Sequence, residues 1–303
     1  MMADRPVDLS RWAKLRHRPI HLFIVVTLLV SYGLGIPALM IAGAWVPGIN
    51  GVAKLYVGRL LVVAGPTCGA IAAVAATSGR AAIGPFLRRR LSLPPDWWAL
   101  ALLPVISLAA AAIVYAAAGL PLAAFAGAIG RAWPLLLVHL ALQILVIGLG
   151  EELGWRGWLL PALTARVGLA RATALTALIW YLWHLPILLG GAADAFWFAL
   201  AIGGLSILFA LLLLWTRGSV WASACAHGSV NAPLVFLGAI LPQADHRLAW
   251  SYLSAMLAVA GLAALICTRH SWRDAAASDA IQLHRTTGQR AHPDCGRPPR
   301  RHK

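Results

Sequence analysis

Acidic side chains are scarce in this chain. Aspartate and glutamate number 10 in 303 residues, and only two are glutamates, the neighbours Glu151 and Glu152. Charge of either sign is low as well, 12% of residues against 60% hydrophobic. A soluble domain needs a polar shell, and this composition does not supply one. Long stretches of alternating apolar and polar residues are missing, which excludes an outer-membrane barrel. The four cysteines, Cys68, Cys225, Cys267 and Cys295, form no C-x-x-C pair, so neither a disulfide framework nor a cysteine metal cluster is expected. An aromatic–basic RNA-binding pattern is also lacking. The net charge of +15 is therefore assigned to loops and tails rather than to a nucleic-acid surface. The basic N-terminal segment leads into a long apolar run without a clear cleavage site, so no removable signal peptide is expected. No internal repeat is visible.

What the chain does have is apolar runs near the roughly 20 residues that a helix needs to cross the hydrocarbon core. In lipid such runs must satisfy their own backbone hydrogen bonds, hence they are helices. The predicted fold is an all-α, polytopic transmembrane bundle of about eight spans. These are Leu22–Val46, Leu60–Ala76, Trp98–Ala118, Trp133–Leu160, Leu169–Leu189, Ala195–Trp215, Val220–Leu241 and Ala249–Cys267. Three regions follow: a basic segment 1–21, a helical domain 22–268, and a basic tail 269–303 whose polar composition predicts disorder. With the N-terminus inside, the successive cytoplasmic segments hold five, four, three, one and eight Lys or Arg, 21 in all, against four outside: Lys54, Arg59, Arg131 and Arg247. That asymmetry predicts a multi-pass protein of the cell membrane with both termini cytoplasmic. Its first partner is the lipid bilayer, and the tail's basic residues are able to touch anionic lipid.

Ionisable groups at membrane depth are costly and usually carry a task or a partner. Gly150-Glu151-Glu152-Leu153-Gly154-Trp155-Arg156 concentrates three of them. Glu152 and Arg156 are four apart, so they share a helix face and are expected to pair. Glu151 is rotated by about 100° from that face and is left available as a base. A purely structural Glu–Arg clamp accounts for Glu152 and Arg156 but not for Glu151. His184 lies in Trp180-Tyr181-Leu182-Trp183-His184, while His227 and Asn231 share one face of the seventh span. His139 and Gln143 share a face too and are read as interhelical hydrogen-bond partners. Glu151 precedes Arg166 by 15 residues and His184 follows Arg171 by 13, which puts both about 20 Å from the turn between their spans. Asn231 and His227 reach similar heights, about 21 and 15 Å above Arg217. Trp133 to Ala165 would be about 50 Å as one helix, so a break near Gly148 and Gly150, or an overhanging end, is expected.

These residues resemble the three motifs of the CPBP family, also called the Abi or CAAX-protease-like family, which includes the type II CAAX prenyl endopeptidases. Glu151, Glu152 and Arg156 match Glu-Glu-x-x-x-Arg. The second motif is usually Phe-x-x-x-His and reads Trp180-x-x-x-His184 here, a departure in the pocket wall. His227 and Asn231 match His-x-x-x-Asn. The similarity covers about residues 133–241. It implies an intramembrane endopeptidase acting on a membrane-associated protein or peptide. The implied roles are Glu151 as base, His184 holding the same water, and His227 with Asn231 stabilising the oxyanion.

The family is often called a metalloprotease family, and Glu151, His184 and His227 offer a Glu-His-His zinc set with one position for water. No His-Glu-x-x-His is present, and a metal-free glutamate–histidine mechanism is the preferred expectation, with no cofactor certain. Two rivals stand beside the protease. One is a non-catalytic scaffold or bacteriocin-immunity protein of the same fold. The other is a transporter, which lacks the inverted repeat expected of that class.

Overall fold

In a computed structural model the described residues are 18–45, 51–189 and 191–268. The predicted N-terminal segment up to residue 17 and the basic tail from residue 269 lie outside them. The described chain is an all-α bundle without a strand. Helix α1 begins at Pro19, passes through a π-helical stretch, Leu29–Gly35, and ends at Trp45. It is followed by α2 (Gly51–Ser78), a short basic α3 (Ile83–Arg90) and α4 (Leu102–Ala117). Next come α5 (Leu122–Val167) and α6 (Leu169–Trp183). The bundle is completed by α7 (Ala192–Trp215), α8 (Trp221–Ile240) and α9 (His246–Cys267). Among the described residues seven helices are long and apolar enough to cross a membrane. The expected fifth span, Leu169–Leu189, is instead interrupted at His184, leaving the 15 residues of α6 and a single turn, Leu185–Leu188.

The outward faces are apolar. Ile106 and Ile113 on α4, and Val259, Leu262 and Ile266 on α9, are exposed. In water such faces would drive aggregation; in a bilayer they are the solvent-facing surface. Inside, small residues let helices approach closely. A Cβ at Gly154 of α5 would sit 2.4 Å from Pro66 of α2, and one at Gly228 of α8 only 2.6 Å from Ile144 of α5. Both glycines are required where they stand.

Proline and π-turns shape the rest. Pro66 has no N–H, so the carbonyl of Val62 loses its helical partner. The Ser31 hydroxyl of α1 donates to that carbonyl at 2.6 Å and accepts the indole N–H of Trp183 at 3.0 Å. Three helices are thereby tied at one point.

Of the two expectations for the long fourth span, a break near Gly148 and Gly150 or an overhanging end, helix α5 follows the second. It is one helix of 46 residues, about 70 Å long, which overhangs a single crossing. It kinks at Ala132 (φ −132°, ψ 25°), two residues before Pro134. Around the glutamates it switches winding instead of stopping. Gln143–Gly148 and Trp155–Leu159 are π-helical, and the α-helical turn Leu149–Gly154 lies between them. The carbonyl of Gly150 accepts the Thr67 hydroxyl of α2 at 2.8 Å. The expected turn between the fourth and fifth spans is where it was placed, at Gly168, whose φ of +78° suits glycine.

Candidate active site

The π-turns set the directions of the two glutamates. π-helical stretches inside α-helices recur at functional sites because they re-aim side chains. Glu152 is fully buried and points between α7 and α8. Its Oε1 accepts from Arg156 Nη1 at 3.0 Å, the pair predicted from spacing. The same oxygen meets His227 Nδ1 at 3.0 Å. Arg156, also fully buried, donates from Nη2 to Ser206 Oγ at 3.1 Å. Its guanidinium lies 4.2 Å from the Trp180 ring centroid and 4.8 Å from that of Phe209. The expected clamp within one helix is therefore a node joining α5, α6, α7 and α8.

Glu151 points the other way. It is 2% exposed and lines a cavity of about 670 Å³ with His184, His227, Asn231, Gln143 and Trp180. Its hydrogen bond is from the indole N–H of Trp180 to Oε2, 2.8 Å. The four residues predicted to form the site, Glu151, His184, His227 and Asn231, thus border one space, although they come from two helices, α5 and α8, and the end of a third, α6.

The histidines are oriented by their surroundings. The chain leaves helical geometry at His184 (φ −87°, ψ 27°), because Pro186 has no N–H with which to continue α6. His184 Nδ1 faces the Trp180 carbonyl at 2.9 Å. A carbonyl only accepts, so Nδ1 carries the proton and Nε2 keeps its lone pair. His227 Nδ1 faces a carboxylate, which likewise fixes a proton on Nδ1. Asn231 Nδ2 donates to Gln143 Oε1 at 3.4 Å. The expected interhelical role of His139 is present as well: its Nδ1 pairs with Tyr56 Oη at 3.0 Å.

Two participants were missed by sequence reasoning. Trp180 was read as an aromatic wall, yet its N–H holds Glu151, its carbonyl holds His184, its face covers Arg156, and its ring meets that of His227 edge-on at 5.4 Å. The signal was available, since the usual Phe has no N–H. Gln143 is expected as an interhelical hydrogen-bond partner, and it accepts from Asn231 of α8, but its place in the cavity wall was missed. Its position, eight residues before Glu151, is two helical turns away on a nearby face.

Residues 133–233 match the sequence model of the family described as type II CAAX prenyl endopeptidase Rce1-like. This region, one third of the chain, is similar to the CAAX protease-like family. The match spans all three motifs and agrees with the resemblance they carry. No curated protein matches the chain. The family is one of proteases, which supports a proteolytic kind of function for a multi-pass membrane protein.

Among the described residues no three His, Cys, Asp or Glu side chains gather so as to hold a metal ion. Glu151, His184 and His227 share the cavity wall without converging on one point.

Proposed function

We propose that this protein is an intramembrane endopeptidase that hydrolyses a peptide bond of a membrane-associated protein or peptide with a water activated by Glu151. The observation that carries this reading is the division of labour between the two glutamates. Glu152 is consumed by Arg156 and His227, whereas Glu151 faces a cavity large enough for a peptide segment.

The chemistry follows from the residues. Glu151 takes a proton from the attacking water in a site walled largely by apolar side chains. His184, with its lone pair on Nε2, accepts a hydrogen bond from the same water and keeps its oxygen directed at the scissile carbonyl. As the bond forms, negative charge develops on the carbonyl oxygen. His227 donates Nε2–H to it when its ring carries both protons, Nδ1–H being held by the Glu152 carboxylate, and Asn231 adds an amide N–H. Collapse of the tetrahedral intermediate expels the amine, and Glu151 returns the proton to it. Arg156 enters no step. It neutralises Glu152, which in turn holds His227 in place.

The chain is proposed to lie in the cell membrane with both termini cytoplasmic. Reporter fusions at Lys303 are expected to be active only as cytoplasmic reporters, and activity restricted to the outer compartment would overturn this placement. The function is tested with the purified full-length protein in proteoliposomes, incubated with detergent-solubilised membrane proteins. New peptide termini that require Glu151 support the protease. No new termini with the fold intact favours the scaffold or immunity protein, and ion flux without cleavage favours a transporter.

A further inference from the structure

The residues lining the cavity all lie toward one end of the bundle. In α1 they fall in the second half, Tyr32 to Leu39, and in α2 in the first half, Arg59 to Val63. In α6 they occupy the last turn and His184; in α9 they occupy the first, His246 to Trp250. In α7 they begin at Asp194, its third residue. Glu151 of α5 and His227 of α8 form the floor, and beyond them toward the other end the cavity has no lining residue. The mouth reaches solvent: Arg247 pairs with Asp194 at 3.2 Å, and the Arg247 side chain is 85% exposed.

The opposite end is tied shut. Arg90 donates to the Gly218 carbonyl at 3.0 Å, Trp221 Nε1 to the Leu91 carbonyl at 2.9 Å, and Ser219 Oγ to the Ser92 carbonyl at 2.6 Å. These bonds knit the segment after α3 to the turn before α8. Phe23 stacks on Trp158 at 5.2 Å beneath the glutamate turn.

The two ends also differ in charge. The closed end carries Arg80, Arg88, Arg89, Arg90, Arg166, Arg171 and Arg217, while the end with the mouth carries Lys54, Arg59, Arg131 and Arg247. Lys and Arg accumulate on the cytoplasmic side of membrane proteins. We infer that the cavity opens away from the cytoplasm, so that its substrates are polypeptide segments presented at the outer face of the membrane: exported or membrane-anchored proteins rather than cytoplasmic ones. This rests on the proteolytic reading for the word substrate, but the direction of access does not.

The direction is tested without a substrate. Leu39→Cys and Leu234→Cys are placed separately in the cavity wall of the full-length protein, whose four native cysteines are changed to alanine, with Ser78→Cys marking the closed end. The probe is a charged, membrane-impermeant maleimide, applied to intact cells stripped of any outer barrier and to inside-out vesicles. The expected result is labelling of both cavity cysteines from the outside and of Ser78→Cys only from the inside. Labelling of the cavity cysteines from the inside only, from both sides alike, or from neither would overturn the inference. If the cysteine-free chain fails to accumulate, the same two substitutions are read against the unsubstituted chain as a blank. Termini that depend on Glu151 are then mapped in cells. Those confined to outer-face segments agree with the inference, and those confined to cytoplasmic segments overturn it. Outer labelling without any Glu151-dependent termini would leave the access route standing and remove the protease.

Discussion

Glu151 and Glu152 are chain neighbours on one helical turn, yet they belong to two regions with opposite construction. Around Glu152 the charges answer one another: Arg156 and His227 meet one carboxylate oxygen, Ser206 takes the far guanidinium nitrogen, and aromatic faces close over the ion, while Glu152 Oε2 and Arg156 Nε are buried without a hydrogen-bond partner. Around Glu151 there is a cavity, one indole N–H and a set of polar tips from other helices. The first region has the properties of a fastener. The second keeps a carboxylate within reach of something not yet bound. An identical side chain thus takes its role from the partners that helix geometry and two flanking π-turns present to it.

The contrast is broken most severely at the fastener. Arg156→Ala leaves the Glu152 carboxylate buried without its main partner, and loss of one member of a buried pair costs about 3–5 kcal/mol. Thermal unfolding in detergent should show a large fall for Arg156→Ala and for Glu152→Ala, and little change for Glu151→Gln. Equal melting of Arg156→Ala and Glu151→Gln would erase the distinction between the two regions.

On the cavity side, Asn231→Ala should lower kcat by about a hundredfold, in line with loss of one oxyanion donor, while the protein melts near its normal temperature. A rise in KM alone, with kcat unchanged, would assign Asn231 to substrate binding rather than to the transition state.

Trp180→Phe sharpens the comparison further. It restores the family's usual aromatic residue, keeps the face over Arg156 and removes only the N–H to Glu151. A hydrogen bond to a carboxylate favours its charged form. Activity requires Glu151 ionised, so it falls on the acid side, and in Trp180→Phe that acid limb should move to higher pH with about a tenfold loss of rate near neutrality. An unshifted limb would show that the indole N–H does not act on the base.

The smallest effect is expected from chelators. With metal content followed by elemental analysis, protein retaining negligible bound metal should keep full activity. Stoichiometric zinc lost and regained together with activity would instead require the three cavity ligands to converge during catalysis.

The sequence carried the fold class and the polar landmarks because both rest on short-range rules. Apolar length gives spans, and spacing of four gives the Glu152–Arg156 and His227–Asn231 faces. It did not carry the π-turns of α5, since winding by one extra residue changes no composition. The excess length consequently left two outcomes open, a break near Gly148 and Gly150 or an overhanging end; the helix overhangs, and the glycines serve close helix contacts. Nor did it carry the reach of Glu152 to His227, which depends on how α5 and α8 cross at Gly228. Trp180 lay in plain view, but an aromatic position at helical spacing does not announce a hydrogen-bond donor until its partner is placed.

Glu151 is the group proposed to activate water. Its most direct test is a comparison of peptide termini in membranes from cells carrying the wild-type chain or Glu151→Gln at matched protein levels. A set of internal termini present with wild type and absent with Glu151→Gln is the predicted result. Identical sets of termini, with both proteins folded and inserted, would contradict it.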